Sequence, residues 1–142
     1  MSNALDLARL AFELNEVPVG AVIIYKGKII GKGHNNVIGD NDVTSHAEIN
    51  AIRDASKKTG NYRLTNCTMY VTLEPCHMCA KAAIDARISS IVFAAKEPKT
   101  GSIVSIDNFL DKKIFNHNVT YRFGLMESRS SKLLKQFFKL RR

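Results

Sequence analysis

The chain has 142 residues, 45% of them apolar, which suits one folded domain over residues 1–142 and excludes an intrinsically disordered chain. Its most apolar run, Val19 to Tyr25, is far too short to span a bilayer, and "MSNALDLARL" has none of the features of a secretory signal. Three cysteines give no disulfide framework, so a reduced, cytoplasmic setting is expected, while a net charge of +8 points toward a polyanionic partner. In chain order, Ala4 to Leu14 reads as a helix with Ser2 or Asn3 as its N-cap. "VGAVIIY", the turn "KGK" and "IIGKGHN" form a hairpin, followed by a polar loop from Asn36 to Ser45. A helix over His46 to Lys58 closes at Gly60. The strand "TMYVT", a helix over His77 to Ala86 and the strand "SSIVFAA" follow, then the loop "KEPKTGS", a last strand "VTYRFG" and a helix over Ser128 to Leu140. Between Arg122 and Arg142 seven basic residues face one acid, which fits a nucleic-acid face or a merely solvated helix.

This order predicts an α/β fold of three layers. A five-stranded mixed sheet, parallel apart from one strand, carries helices on both faces. Ligands in such sheets sit beyond the carboxyl ends of the strands.

Two helix starts carry ionisable groups. His46 and Glu48 open the helix that begins near Ala47. Side chains two apart in mid-helix diverge by about 200°, but in the first turn both can converge on a point ahead of the helix. Cys76 and Cys79 open the next helix behind Pro75, three apart and so on one side. A helix N-terminus favours thiolates there. One His and two Cys make a three-ligand zinc set with a fourth position open for water, as catalytic zinc requires. Each half has a plainer reading. Ser45-x-x-Glu48 also fits a capping box, and Cys-x-x-Cys also fits a redox pair or buried small apolar residues. Together, H-x-E and P-C-x-x-C match the signature of zinc-dependent nucleobase deaminases.

"EVPVGAV", "GKGHNN", "SHAEI", "NYRL", "MYVTLEPCHMCAKA", "IVFAAKEPKTG" and the terminal "FFKLRR" together resemble the bacterial tRNA-specific adenosine deaminases of the cytidine deaminase superfamily, over nearly the whole chain. The resemblance implies a cytidine-deaminase-like fold, one Zn²⁺ per subunit and a homodimer. The substrate it implies is the anticodon stem-loop of a tRNA, an arginine tRNA by the family's habit. The activity is hydrolytic deamination of the wobble adenosine to inosine. His46, Cys76 and Cys79 would ligate the metal, which lowers the pKa of a bound water. Glu48 would shuttle the proton to N1 of the base and then to the departing amine. The Cys76 backbone N–H would stabilise developing charge.

Asn35 would hydrogen-bond the base, although "HNN" also reads as a turn. Ala47 would add a backbone carbonyl, and Val17, Pro18 and Leu73 an apolar lining. Lys99 and Thr100 would grip the anticodon backbone. Glu97, Asn116, His117, Phe137, Phe138, Arg141 and Arg142 complete the expected RNA contacts, although a Phe pair is also good core and the two arginines a frayed end. Glu74 is expected to shape the helix start, and Cys67 to fill core. Glu97 stands where many members have Asp and Val104 where Gly is usual. His34 and Asn36 replace an aromatic and a basic residue beside Asn35. These departures bear on RNA grip and leave the metal set intact. Two rivals share these residues: a deaminase of free guanine, cytosine or a nucleoside, and an inactive zinc-stabilised RNA-binding subunit.

Overall fold

The computed structural model describes all residues, 1–142. Helix α1 (Ser2–Glu13) precedes the hairpin β1 (Gly20–Tyr25) and β2 (Lys28–His34). Its turn is Lys26-Gly27 with φ of 48° and 76°, the left-handed pair that matches the twist of two antiparallel strands. Then come α2 (Val37–Asp40), α3 (Ala47–Thr59), β3 (Thr68–Leu73), α4 (His77–Asp85), β4 (Ser90–Ala95), a single 3₁₀ turn at Phe109–Asp111, β5 (Thr120–Phe123) and α5 (Glu127–Lys139).

The strands lie in the order β2-β1-β3-β4-β5. β1 is antiparallel to both its neighbours, while β3, β4 and β5 are mutually parallel, so only β1 runs against the rest. Helices α1 and α5 pack on one face and α3 and α4 on the other. β4 is therefore covered on both sides and reads as one apolar run, its Phe93 fully buried and contributing about 1.5–3 kcal/mol.

Small residues set the closest layer contact. Gly31 and Gly33 on β2 meet Ala47, Ala51 and Ala55 on α3, and a Cβ added at Gly33 would lie 2.2 Å from the Ala47 carbonyl oxygen. This seats the first turn of α3 directly on the end of β2.

Two local expectations change. The α1 N-cap is Met1 rather than Ser2 or Asn3, and no side chain caps it. The polar loop after β2 contains a turn of helix, α2, because Asn36 and Asp40 bond side chain to side chain across it at 2.7 Å. No helix is long and apolar enough to cross a membrane.

Candidate active site

Five segments meet at the carboxyl ends of β3 and β4. They are the entry to β1, the exit of β2 with the start of α3, the β3–α4 junction, the loop after β4, and the end of α5. His46 is the N-cap of α3 and Cys76 the N-cap of α4, both with extended backbone. Each side chain thus projects ahead of its helix rather than along it. The alternative reading of Ser45 and Glu48 as a capping box does not hold. Ser45 lies one residue before the cap, and its hydroxyl donates instead to Asp40 at 2.6 Å.

Nδ1 of His46 lies 3.7 Å from Sγ of Cys76 and 3.5 Å from Sγ of Cys79, and all three donor atoms fall within 4.8 Å of one another. Tetrahedral zinc with ordinary Zn–N and Zn–S bonds would set nitrogen and sulfur about 3.6 Å apart. The donor set therefore fits a tetrahedral N/S metal site in both chemistry and spacing. All three cysteines are free thiols. Cys76 is held down to about 4, first by the thiol of Cys79 donating to it and then by His46. Cys79 is pushed up, because it is the donor in that pair and is buried. His46 is raised, mainly by its hydrogen bond with Cys76. These groups share protons in a space that one dication would fill.

Beside them Glu48 is 4% exposed, and burial pushes its carboxyl up to about 7. Glu48, His46 and Cys76 open into a cavity of about 530 Å³ that is also lined by Val17, Leu73 and Asn35. Oδ1 of Asn35 accepts the Ala47 N–H at 2.8 Å. The backbone donor fixes the amide's orientation, leaving Nδ2 with no protein partner. The Cys76 N–H also has no acceptor within the protein.

Glu74, 3% exposed, anchors the loop after β4 rather than the start of α4. Its Oε2 accepts the N–H groups of Ile103, Val104 and Ser105 at 2.8–3.0 Å, and its Oε1 accepts that of Glu97 at 3.1 Å. Burial alone would raise this carboxyl, but the donors from Ser105, Val104 and Glu97 outweigh it and hold the pKa low. The loop so held brings Glu97 and Thr100 to the cavity wall, and Oε1 of Glu97 accepts the Lys99 N–H. Lys99 itself faces an adjoining groove with Arg142.

Several expected residues lie elsewhere. Pro18 is fully buried and Val19 takes its place at the wall. Ala47 is fully buried with its carbonyl turned to Gly33, so it offers no acceptor to the cavity. His117 bonds the carbonyl of Ile88 at 2.7 Å and Asn116 contacts Arg87. Both sit near the amino end of β4, at the opposite end of the strand from the cavity. Phe137 and Phe138 do line the cavity. Phe137 is core, packed edge-on to Phe12, while Phe138 is 47% exposed. Arg141 is no frayed end: its guanidinium lies 3.5 Å over the Phe137 ring and bonds Asn15.

The MafB19-like deaminase family matches residues 1–142. A tRNA-specific adenosine deaminase of Aquifex aeolicus is 45% identical over 96% of this chain and 89% of its own length, and that of Bacillus subtilis is 39% identical over 98% and 86%. The chain belongs to the MafB19-like deaminases and, within them, to the tRNA-specific adenosine deaminases. A solved deaminase concerned with A-to-I editing at the wobble position of transfer RNA superimposes with a TM-score of 0.92 at 42% identity, over 94% of this chain and 97% of that one. A guanine deaminase from Nitrosomonas europaea superimposes with a TM-score of 0.80 at 25% identity, over 96% and 81%.

In this deaminase the wall also includes Glu16, Val37 and Ile38, which sequence reasoning missed. The carboxylate of Glu16 accepts the Gly39 N–H at 2.8 Å and so ties α2 to the entry of β1. A signal was present in the chain: Val37-Ile38 is an apolar pair stranded in a polar loop, and Ile38 remains 74% exposed.

Proposed function

We propose that this chain hydrolyses the wobble adenosine of a tRNA anticodon to inosine, releasing ammonia, with zinc held by His46, Cys76 and Cys79. The observation that carries the reading is the meeting of three N/S donors, a buried carboxyl and an unpartnered amide in one cavity. Zinc bound there supplies a water of lowered pKa at neutral pH. Glu48, with its affinity for a proton raised to near neutrality by burial, takes one from water and gives it to N1 of the purine. The hydroxide left behind adds at C6. Glu48 then takes the proton of the new C6 hydroxyl and passes it to the exocyclic amine, so that the C6–N bond breaks, ammonia leaves and the 6-oxo ring of inosine remains. The free N–H of Cys76 sits at the N-terminus of α4, where the helix dipole stabilises developing negative charge. Nδ2 of Asn35 donates to a ring acceptor of the base, while Val17 and Leu73 pack its faces. Phe138 at the mouth stacks on a neighbouring base. Lys99 and Arg142 meet phosphates.

A homodimer in a cytoplasmic setting completes the reading. The exposed Ile106 and Ile114 in the loop after β4 offer apolar surface to a second copy, and the site needs reduced thiols. The test is mass analysis of the anticodon stem-loop of an arginine tRNA after incubation with the zinc-loaded protein. Inosine at the wobble position is expected. Turnover of free guanine with the RNA untouched would replace this reading with a free-base deaminase.

A further inference from the structure

Helix α5 carries more charge than the cavity uses. Its packing rests on Phe137 and on the Ser130 hydroxyl, which donates to the Thr72 carbonyl at 2.5 Å. The opposite side presents Lys132, Lys135 and Lys139, exposed and at helical spacing on one face, together with Ser128 and Ser131. None of the three lysines enters an ion pair. Three like charges over about 10 Å of helix axis repel one another and contribute nothing to the fold.

The concavities of this region are continuous. The catalytic cavity shares Glu97, Phe138 and Arg141 with the groove that holds Lys99. That groove in turn shares Lys135 and Lys139 with a shallow trough on the outer face of α5, whose lining has no apolar residue. The path thus runs from an aromatic at the cavity mouth to a row of three unpaired cations, two hydroxyls and the Gln136 amide, with Glu127 at its α5 N-terminal end as the one acid. Such a lining fits a sugar-phosphate strand and offers nothing to an apolar partner.

We propose that the outer face of α5 is a phosphate track, in which Lys132, Lys135 and Lys139 hold the RNA strand that flanks the reacting nucleotide. The proposal rests on RNA being the substrate.

The test compares three zinc-loaded proteins: the unsubstituted chain, Lys132→Gln/Lys135→Gln/Lys139→Gln, and a control with Lys26→Gln/Lys28→Gln/Lys57→Gln. The control removes the same charge from the hairpin turn and the far end of α3, across the sheet from the cavity. Binding of a labelled anticodon stem-loop is followed by fluorescence anisotropy across a salt series. Loss of three phosphate contacts should flatten the slope of log Kd against log salt by about 2–3 and weaken binding about tenfold or more at moderate salt. The loss in turnover should fall in KM rather than kcat, and the control should keep the original slope. An unchanged slope in the α5 variant, or an equal change in the control, overturns the track while the unsubstituted protein still edits the RNA. An unsubstituted protein that neither binds nor edits the RNA overturns the substrate reading, and the track with it.

Discussion

Asn35 accepts the backbone N–H of Ala47 at 2.8 Å, so one side chain both faces the cavity and fixes the first turn of the helix that carries Glu48. Its two polar atoms have separate duties, and substitutions can separate them. Asn35→Asp keeps the acceptor for Ala47 and removes the donor to the base. It should fold with nearly unchanged stability but lose roughly 10²-fold in kcat/KM, the scale of one misplaced polar contact to a transition state. Asn35→Ala removes both and should cost a further ~1 kcal/mol of stability. Thermal melts and steady-state kinetics on the same two proteins check this. Equal destabilisation by both variants would refute the division of labour.

Glu48 is the proton carrier in the proposed reaction, and no fold contact depends on its charge. Glu48→Gln preserves shape while removing the proton acceptor. Inosine formation should drop by about 10²–10⁴-fold, with one zinc retained per chain. Metal analysis beside single-turnover kinetics distinguishes this from collapse of the metal set. A variant that keeps its rate would remove Glu48 from the chemistry.

The fold was legible wherever periodicity and chirality act locally. The left-handed turn at Lys26-Gly27 and the alternation of strands with helices after it lead directly to a sheet with one reversed strand. The clustering of His46 with Cys76 and Cys79 was legible because each sits at a helix start, where side-chain direction is set by the N-cap. What the sequence concealed were contacts between segments far apart in the chain. Ala47 looks available to a ligand until Gly33 is seen to take its carbonyl side. His117 and Asn116 look like surface groups open to RNA until His117 is seen to bond the Ile88 carbonyl and Asn116 to contact Arg87, at the amino end of β4. Glu74, adjacent to Cys76, reads as part of a helix start, yet its donors lie 23 to 31 residues downstream.

Glu74 therefore gives a prediction with a pH signature. Its carboxylate gathers four backbone N–H groups and the Ser105 hydroxyl, and its pKa lies below the ordinary 4.5. A depressed carboxyl stabilises the folded state fully above pH 4.5, and this is lost as pH falls through the folded-state pKa. Glu74→Gln should cost about 2 kcal/mol at neutral pH, and the gap to the unsubstituted protein should close in acid. Hydrogen exchange should quicken at Ile103 to Ser105. Denaturant melts between neutral and acidic pH read the first effect. A gap that widened in acid would contradict the assignment.

Metal loading should show in stability without reference to turnover. After chelation, added zinc should raise the unfolding midpoint, approaching about 2.7 kcal/mol at a hundredfold excess over Kd. Cys79→Ala should abolish the zinc-dependent rise, because two donors hold the ion far less well than three. Thermal melts with and without zinc check both. A rise of equal size in the variant would place the ion elsewhere.

Gly33 links the sheet to the site by steric contact alone. A Cβ there would lie 2.2 Å from the Ala47 oxygen and 2.4 Å from the Ala51 nitrogen, both backbone atoms of α3 that no side-chain rotation can move. Gly33→Ala must displace the start of α3, which carries His46 and Glu48. Overpacking of this kind costs about 1–3 kcal/mol, and the displacement should lower zinc affinity as well. Gly27 is the comparison. It has open space around it and φ of +76°, so Gly27→Ala pays only backbone strain, about 1 kcal/mol, with the metal group untouched. Zinc titration of the two variants isolates the geometric effect, since both lose stability but only one moves a ligand. Equal zinc affinity in the two would mean that α3 absorbs the added methyl without shifting His46.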